Sequence, residues 1–412
     1  MHLPAPTLLH TRQEKYSGPM NRRNLFAILI CVSALALCAS RSLSGRKNSV
    51  RPQKVETPMA TTERLEGSGW WPTKRSAASG DFAGTPACVR CHAKIAETQR
   101  ATPMARAASP AATADVLREH PIMEGQLGSY AYKISRRDET SVYSVSNGPA
   151  LFSVPLPWAF GVGNKGQTYV YQREGLFYES RMSFYKSLQG LDLTTGHSNK
   201  TPGKLEDAAG RLLDPDSLRL CFGCHTTAST TSAGFDTSHL SPGVTCEACH
   251  GPGGRHAELM DAEQNEAGRQ AIFNPGKLSP VALVDFCGAC HRTLNDVYEM
   301  GVTGVANVRF QPYRLESSRC WGDGDARLAC TACHDPHKQL VHAAGTYDEK
   351  CLACHVSSSA AKISPDHPGK ACPVARKDCV TCHMPRVTLP SMHAPFVDHR
   401  IRIVKAKEKY PD

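Results

Sequence analysis

One five-residue pattern recurs through this chain: CVRCH at 88–92, CFGCH at 221–225, CEACH at 246–250, CGACH at 287–291, CTACH at 330–334, CLACH at 351–355 and CVTCH at 379–383. The seven copies take fourteen of the eighteen cysteines, and every CxxC is followed by His. Two thiols separated by two residues form thioethers to both vinyl groups of one haem from a single local turn, and the next residue then lies beneath the iron. Zinc ribbons do not require His after every CxxC. A thioredoxin-like redox motif fails for the same reason and would not recur. The cofactor expected is therefore haem c, seven copies covalently attached. The anchoring residues are Cys88, Cys91, Cys221, Cys224, Cys246, Cys249, Cys287, Cys290, Cys330, Cys333, Cys351, Cys354, Cys379 and Cys382, and the proximal iron ligands are His92, His225, His250, His291, His334, His355 and His383.

Attachment of this kind takes place outside the cytoplasm in bacteria, and the amino terminus agrees. Residues 25–39, LFAILICVSALALCA, are a charge-free run directly after Arg22 and Arg23, the pattern of a secretory signal. Residues 1–40 are read as a signal peptide or a single N-terminal membrane anchor, and 41–80, rich in Ser, Gly, Arg and Lys, as a linker. The predicted localisation is periplasmic or on the outer face of the cytoplasmic membrane. Such a compartment permits Cys320 and Cys372 to pair. A mean hydropathy of -0.36 excludes a multi-pass membrane protein.

Six motifs begin between 221 and 379 at spacings of 21 to 43 residues, whereas the first stands 133 residues ahead of the second. Segments this short cannot each build a core of their own. Aromatics make up only 7% of the chain, so the macrocycles themselves are expected to form the core, wrapped by short helices and loops. Between the first two motifs the texture changes. SYAYKI, SVYSVS, QTYVYQ and LFYESRMSFY alternate apolar and polar residues, which predicts a small antiparallel sheet. Within it GVGNKG at 161–166 matches a dinucleotide-binding glycine pattern, but a strand-like segment follows it, so it is read as a hairpin connection. The fold class is thus mostly α and irregular, a multihaem cytochrome c with haems as core and a small antiparallel β subdomain inserted between the first and second motifs. The expected divisions are 81–125 for the first haem segment, 126–190 for the β subdomain, 191–403 for a six-haem domain and 404–412 for a tail.

Seven irons leave seven sixth positions, and nine further histidines remain once residues 1–40 are set aside. His256 follows the bend of CEACHGPGGRH, and His337 follows CHDPH, where Pro336 turns the chain away from its own haem; both are placed to reach a neighbouring iron. His393 and His399 sit in MHAPFVDHRI, a tail able to fold back. Met104, twelve residues after His92, is a candidate sulfur ligand for the first haem.

These stretches resemble a bacterial family of exported multihaem cytochromes carrying the cytochrome c-552/4 domain. The resemblance rests on CVRCHAKIAETQRATPMARA, GVGNKGQTYVYQREGLFYESRMSFY, the TTGH at 194–197, GVTCEACHGPGGRHA, CTACHDPH, and CVTCHMPR followed by HAPFVDHRI. It implies electron transfer through mostly bis-histidine haems, with His197, His256, His337, His393 and His399 as sixth ligands and His367 as a looser match. The tetratricopeptide repeats of many relatives are not seen in these residues.

Two functions compete. The first is an electron carrier working with redox partner proteins, a membrane donor and an exported acceptor. The alternative is an oxidoreductase of a small nitrogen or sulfur compound with one open haem, the first being the expected site. The chain has no CxxCK variant and more candidate ligands than irons, so the carrier is favoured and no catalytic residue is assigned. The net charge of +10 falls to +7 without residues 1–40, and seven ferric haems at about -1 each cancel it. No nucleic-acid partner is expected.

Overall fold

The computed structural model describes residues 56–322, 328–353, 355 and 372–403. The signal segment at 25–39, the tail at 404–412, Cys354 and His367 fall outside them. Among the described residues no helix is long and apolar enough to cross a membrane.

The chain is mostly short helices, with a distinct antiparallel β region. Its strands are β1 (Ala108–Pro110), β2 (Ile122–Leu127), β3 (Tyr130–Arg137), β4 (Thr140–Asn147), β5 (Ala150–Pro155), β6 (Trp158–Phe160), β7 (Gly166–Arg173), β8 (Leu176–Ser180), β9 (Met182–Tyr185), β10 (Gly190–Leu193) and β11 (Gly210–Leu212). Strands β2 to β5 form a meander, while β1, β6, β7, β8 and β11 lie side by side in a second sheet to which β9 and β10 are joined through β7. Alternation decides which faces meet: Tyr130, Tyr132 and Ile134 of β3 and Tyr143 and Val145 of β4 point inward. They pack with Tyr169, Tyr171, Met182 and Phe184 of the second sheet in one cluster. The strands extend past 126–190 at both ends. GVGNKG joins β6 to β7, an antiparallel pair, so its glycines serve a turn between strands; Gly161 and Gly163 have φ of 95° and 78°.

Most CxxCH motifs lie on helices: Thr85–Arg100, Pro215–His225, Cys246–His250, Pro280–His291, Cys330–Cys333 and Cys379–His383, with Cys351 on Asp348–Leu352. A helical turn places residues three and four apart on one face, which brings both cysteines and the histidine to the same side. Two of these helices begin with strong local signals. Asp214 accepts the amides of Asp216 and Ser217, Ser279 accepts that of Ala282, and Pro215 and Pro280 open the first turns.

Apolar packing between the motif helices is sparse. One cluster is built on Trp71, Ala282, Phe286 and Ala289, another on Leu283, Val284, Leu315 and Ala329. Beside them lies a cavity of about 2460 Å³, well beyond the ~300–1,000 Å³ of an ordinary small-molecule pocket.

Gly243 shows how closely the chain is fitted here. Its φ is +77°, and a Cβ there would lie 1.9 Å from the Ala105 carbonyl oxygen. Backbone cannot swing aside as a side chain can. Gly243→Ala is expected to destabilise the protein by more than about 1 kcal/mol, read as a lower thermal midpoint; an unchanged midpoint would refute this close approach.

Candidate haem sites

The histidines are oriented by their own backbone surroundings. Nδ1 donates to a carbonyl oxygen in His225 (Ala107, 3.1 Å), His250 (Phe273, 2.9 Å), His256 (Gly268, 2.7 Å), His383 (Arg402, 2.8 Å) and His399 (Val397, 3.1 Å). A carbonyl only accepts, so Nδ1 carries the proton and the lone pair is left on Nε2, the arrangement a metal-bound histidine needs. His337 Nδ1 lies 3.4 Å from the Asp335 carboxylate, which also accepts the His337 amide. Burial lowers the pKa of His225, His250, His291 and His334 and takes His399 to about 4. These imidazoles are held neutral. His291 lines the cavity.

Three pairs of imidazoles face each other. The ring centres of His250 and His337 are 6.1 Å apart at 12°, those of His92 and His256 6.5 Å at 22°, and those of His334 and His399 6.3 Å at 44°. A metal–nitrogen bond of ~2.0 Å, with roughly 1.1 Å more to the ring centre, gives about 6.2 Å for two imidazoles on one metal. The spacing suits an iron between each pair, and the cavity that contains these rings also takes in cysteines of the first six motifs. The residues present fit haem c.

Other expected ligands are placed differently. His197 Nε2 is 2.9 Å from Glu179, whose carboxylate also pairs with Arg211 at 2.7 Å. It lines a separate polar cavity with Arg173, Tyr178 and Arg181. His393 Nε2 is 2.8 Å from Asp192, and its ring stands edge-on to Tyr185. Neither is brought to a proximal histidine. Met104 lines the large cavity, but the ring opposite His92 is that of His256. His355 is exposed. No disulfide joins Cys320 to Cys372.

Thiols of different motifs lie close enough to influence one another: Cys88 and Cys246, Cys224 and Cys290, Cys287 and Cys330, and Cys351 and Cys379. Three acids not singled out from the sequence hold this arrangement. Glu247, within CEACH and almost fully buried, accepts the amides of Ala83 and Gly253, both at 2.7 Å, and that of Gly84 at 2.9 Å. From inside the third motif it thus holds the segment that leads into the helix of the first. Asp348, on the helix that carries Cys351, binds the start of the seventh motif, accepting Cys379 N at 2.9 Å and Asp378 N at 2.7 Å. Those amides hold its carboxyl below the usual range. Asp398, beside His399, binds Arg314 through two bonds of 2.8 and 2.9 Å. An acid at a variable position of a CxxCH motif was the available signal for Glu247; the other two carry none.

Helical CxxCH turns and facing imidazoles around a shared cavity define a multihaem c-type cytochrome. Residues 181–251 match the family described as cytochrome c554 and c-prime. The multihaem cytochrome MtrA of Shewanella baltica (strain OS185) is 25% identical over 210 residues, covering 48% of this chain and 55% of that protein. The match thus spans little more than half the length of this relative. The crystal structure of the outer cell wall cytochrome OcwA aligns with a TM-score of 0.36 at 15% identity, over 74% of this chain and 67% of that one. The chain is related to the cytochrome c554 and c-prime family and to MtrA-type multihaem cytochromes.

Proposed function

We propose that the chain binds seven haems c, one at each CxxCH, and transfers electrons between a membrane donor and an exported acceptor. The observation that carries this reading is the set of three facing imidazole pairs, each combining one CxxCH histidine with a second one. When bound, haem supplies the ferric/ferrous couple and a conjugated ring from which electrons pass to a neighbour. Burial keeps His250, His334 and His399 neutral, and backbone carbonyls accept from Nδ1 of His250, His256 and His399, which leaves their Nε2 for the iron.

The proximity of cysteines from different motifs supports a conducting role, because it brings the attachment segments near one another. The first and third are related through Cys88 and Cys246, Cys249 acts electrostatically on Cys287 and Cys290 of the fourth, and the fourth and fifth are related through Cys287 and Cys330. Tyr347, at the start of the sixth segment, stands on the His334 ring of the fifth at 5.6 Å. The second segment is likewise near the fourth, and the sixth near the seventh. The position of His256 opposite His92 weighs against an enzyme whose open site is the first haem.

Intact-mass measurement of the exported holoprotein should show seven haem additions, and carbon monoxide should bind the reduced protein far below one equivalent per chain. Stoichiometric carbon monoxide binding would overturn the pure carrier.

A further inference from the structure

Two guanidiniums face the large cavity without an anion. Arg292 follows His291 directly, at a left-handed φ of 65° that closes the Pro280–His291 helix. Arg309 lies 4.7 Å over the ring of Phe310, just before the Gln311–Glu316 helix. Both line the cavity, and burial and the Arg292 charge alike oppose the charged form of Arg309. Among the described residues neither guanidinium has a hydrogen bond or an ion pair. Asp296, on the neighbouring Leu294–Glu299 helix, is committed to Thr61 and Thr293. Gln311 lines the same cavity beside His291.

Both arginines are partly buried, and guanidinium forks match planar oxyanions. The place is defined as well. Arg292 acts electrostatically on Cys221 and Cys224 of the second motif while adjoining the proximal histidine of the fourth, and Cys224 lies close to Cys290 there. We propose that Arg292 and Arg309 together bind a carboxylate or small oxyanion at the junction of the second and fourth attachment segments. This rests on the haem-carrying reading above. The anion has two chemical sources, a propionate of the resident haem or a free oxyanion admitted to the cavity, and Arg292 and Arg309 are positioning residues in the first case.

The test uses the holoprotein, with haem content confirmed first by intact mass, so that failure of the haem reading is seen separately. Spectroelectrochemical titration is compared for wild type, Arg309→Gln, Arg292→Gln and Arg309→Lys, and ferric wild type is titrated with nitrite. If a propionate is held, either Gln variant shifts the reduction equilibrium of one or two haems toward ferric by about tenfold, ~59 mV for one electron. Arg309→Lys restores most of the shift, and nitrite gives no response. If a free oxyanion is held, nitrite produces a saturable spectral change in wild type that Arg309→Gln abolishes. Potentials unchanged in whichever Gln variant folds, together with no nitrite response, would overturn the proposal.

Discussion

Replacing His256 with Ala in the holoprotein converts one low-spin ferric haem to high-spin, detected by electron paramagnetic resonance, and adds about one equivalent of carbon monoxide binding when reduced. The expectation follows from the ring pair. His256 stands opposite His92 at 6.5 Å, and its Nδ1 is tied to the Gly268 carbonyl, so Nε2 is aimed by a hydrogen bond rather than by chance. His337 and His399 are not available to substitute for it, because they already face His250 and His334. Added imidazole should restore the low-spin spectrum. His197→Ala, His393→Ala and Met104→Leu serve as controls and should leave every haem low-spin, since the two histidines give Nε2 to Glu179 and Asp192. A wholly low-spin His256→Ala protein, or a high-spin haem in the controls, would remove this assignment.

Asp398→Asn is expected to be the most destabilising single change outside the motifs. Arg314 and Asp398 are both fully buried; besides Arg314, Asp398 accepts from Arg402 at 2.7 Å and from the Arg400 amide at 3.0 Å. Removing the carboxylate charge leaves Arg314 buried without compensation, at a cost of about 3–5 kcal/mol. A double replacement by apolar residues of similar volume should cost much less. Burial opposes ionisation of Asp398, but Arg314, the Arg400 amide and Arg402 outweigh it and hold the pKa below its ordinary value. A carboxyl depressed in the folded state contributes stability above its unfolded pKa of about 3.9 and loses it as pH falls through the folded value. Wild type and Asp398→Asn should therefore differ most in chemical denaturation near neutrality and converge in strong acid. A constant difference across that range would show that the charge is not the source.

The attachment sites were legible because covalent chemistry demands contiguous residues, so CxxCH carries its meaning wherever it stands. The strands were legible for a comparable local reason. Tyr130, Tyr132 and Ile134 alternate with polar neighbours, and the pleat turns that alternation into an inner face. Partners brought together by tertiary packing were less so. His256 was expected to reach a neighbouring iron, but that its ring faces His92 depends on how the Gly254–Asp261 helix is held against the first motif. Glu247 sets that contact by binding Ala83, Gly84 and Gly253 at once. His197 and His393 resembled ligands in sequence, yet their carboxylate partners come from β8 and β10. Arg292 and Arg309 gave no pattern at all, since what distinguishes them is the anion each lacks nearby.

In every facing pair the CxxCH histidine comes earlier in the chain than its partner: His92 before His256, His250 before His337, His334 before His399. A motif's helical turn is a local structure that forms early, whereas each partner must close a loop of many dozens of residues. Maturation therefore has a direction. On the haem-carrying reading proposed above, each of these three sites would pass through a one-sided stage in which thiols and proximal imidazole are presented while the opposite face is open, and that would be the stage at which a haem is brought in and joined. Folding of the later segments then acts as the closing step, so a defect in the Asp398 anchor should appear as an incompletely sealed fifth site in a protein whose haem is already attached.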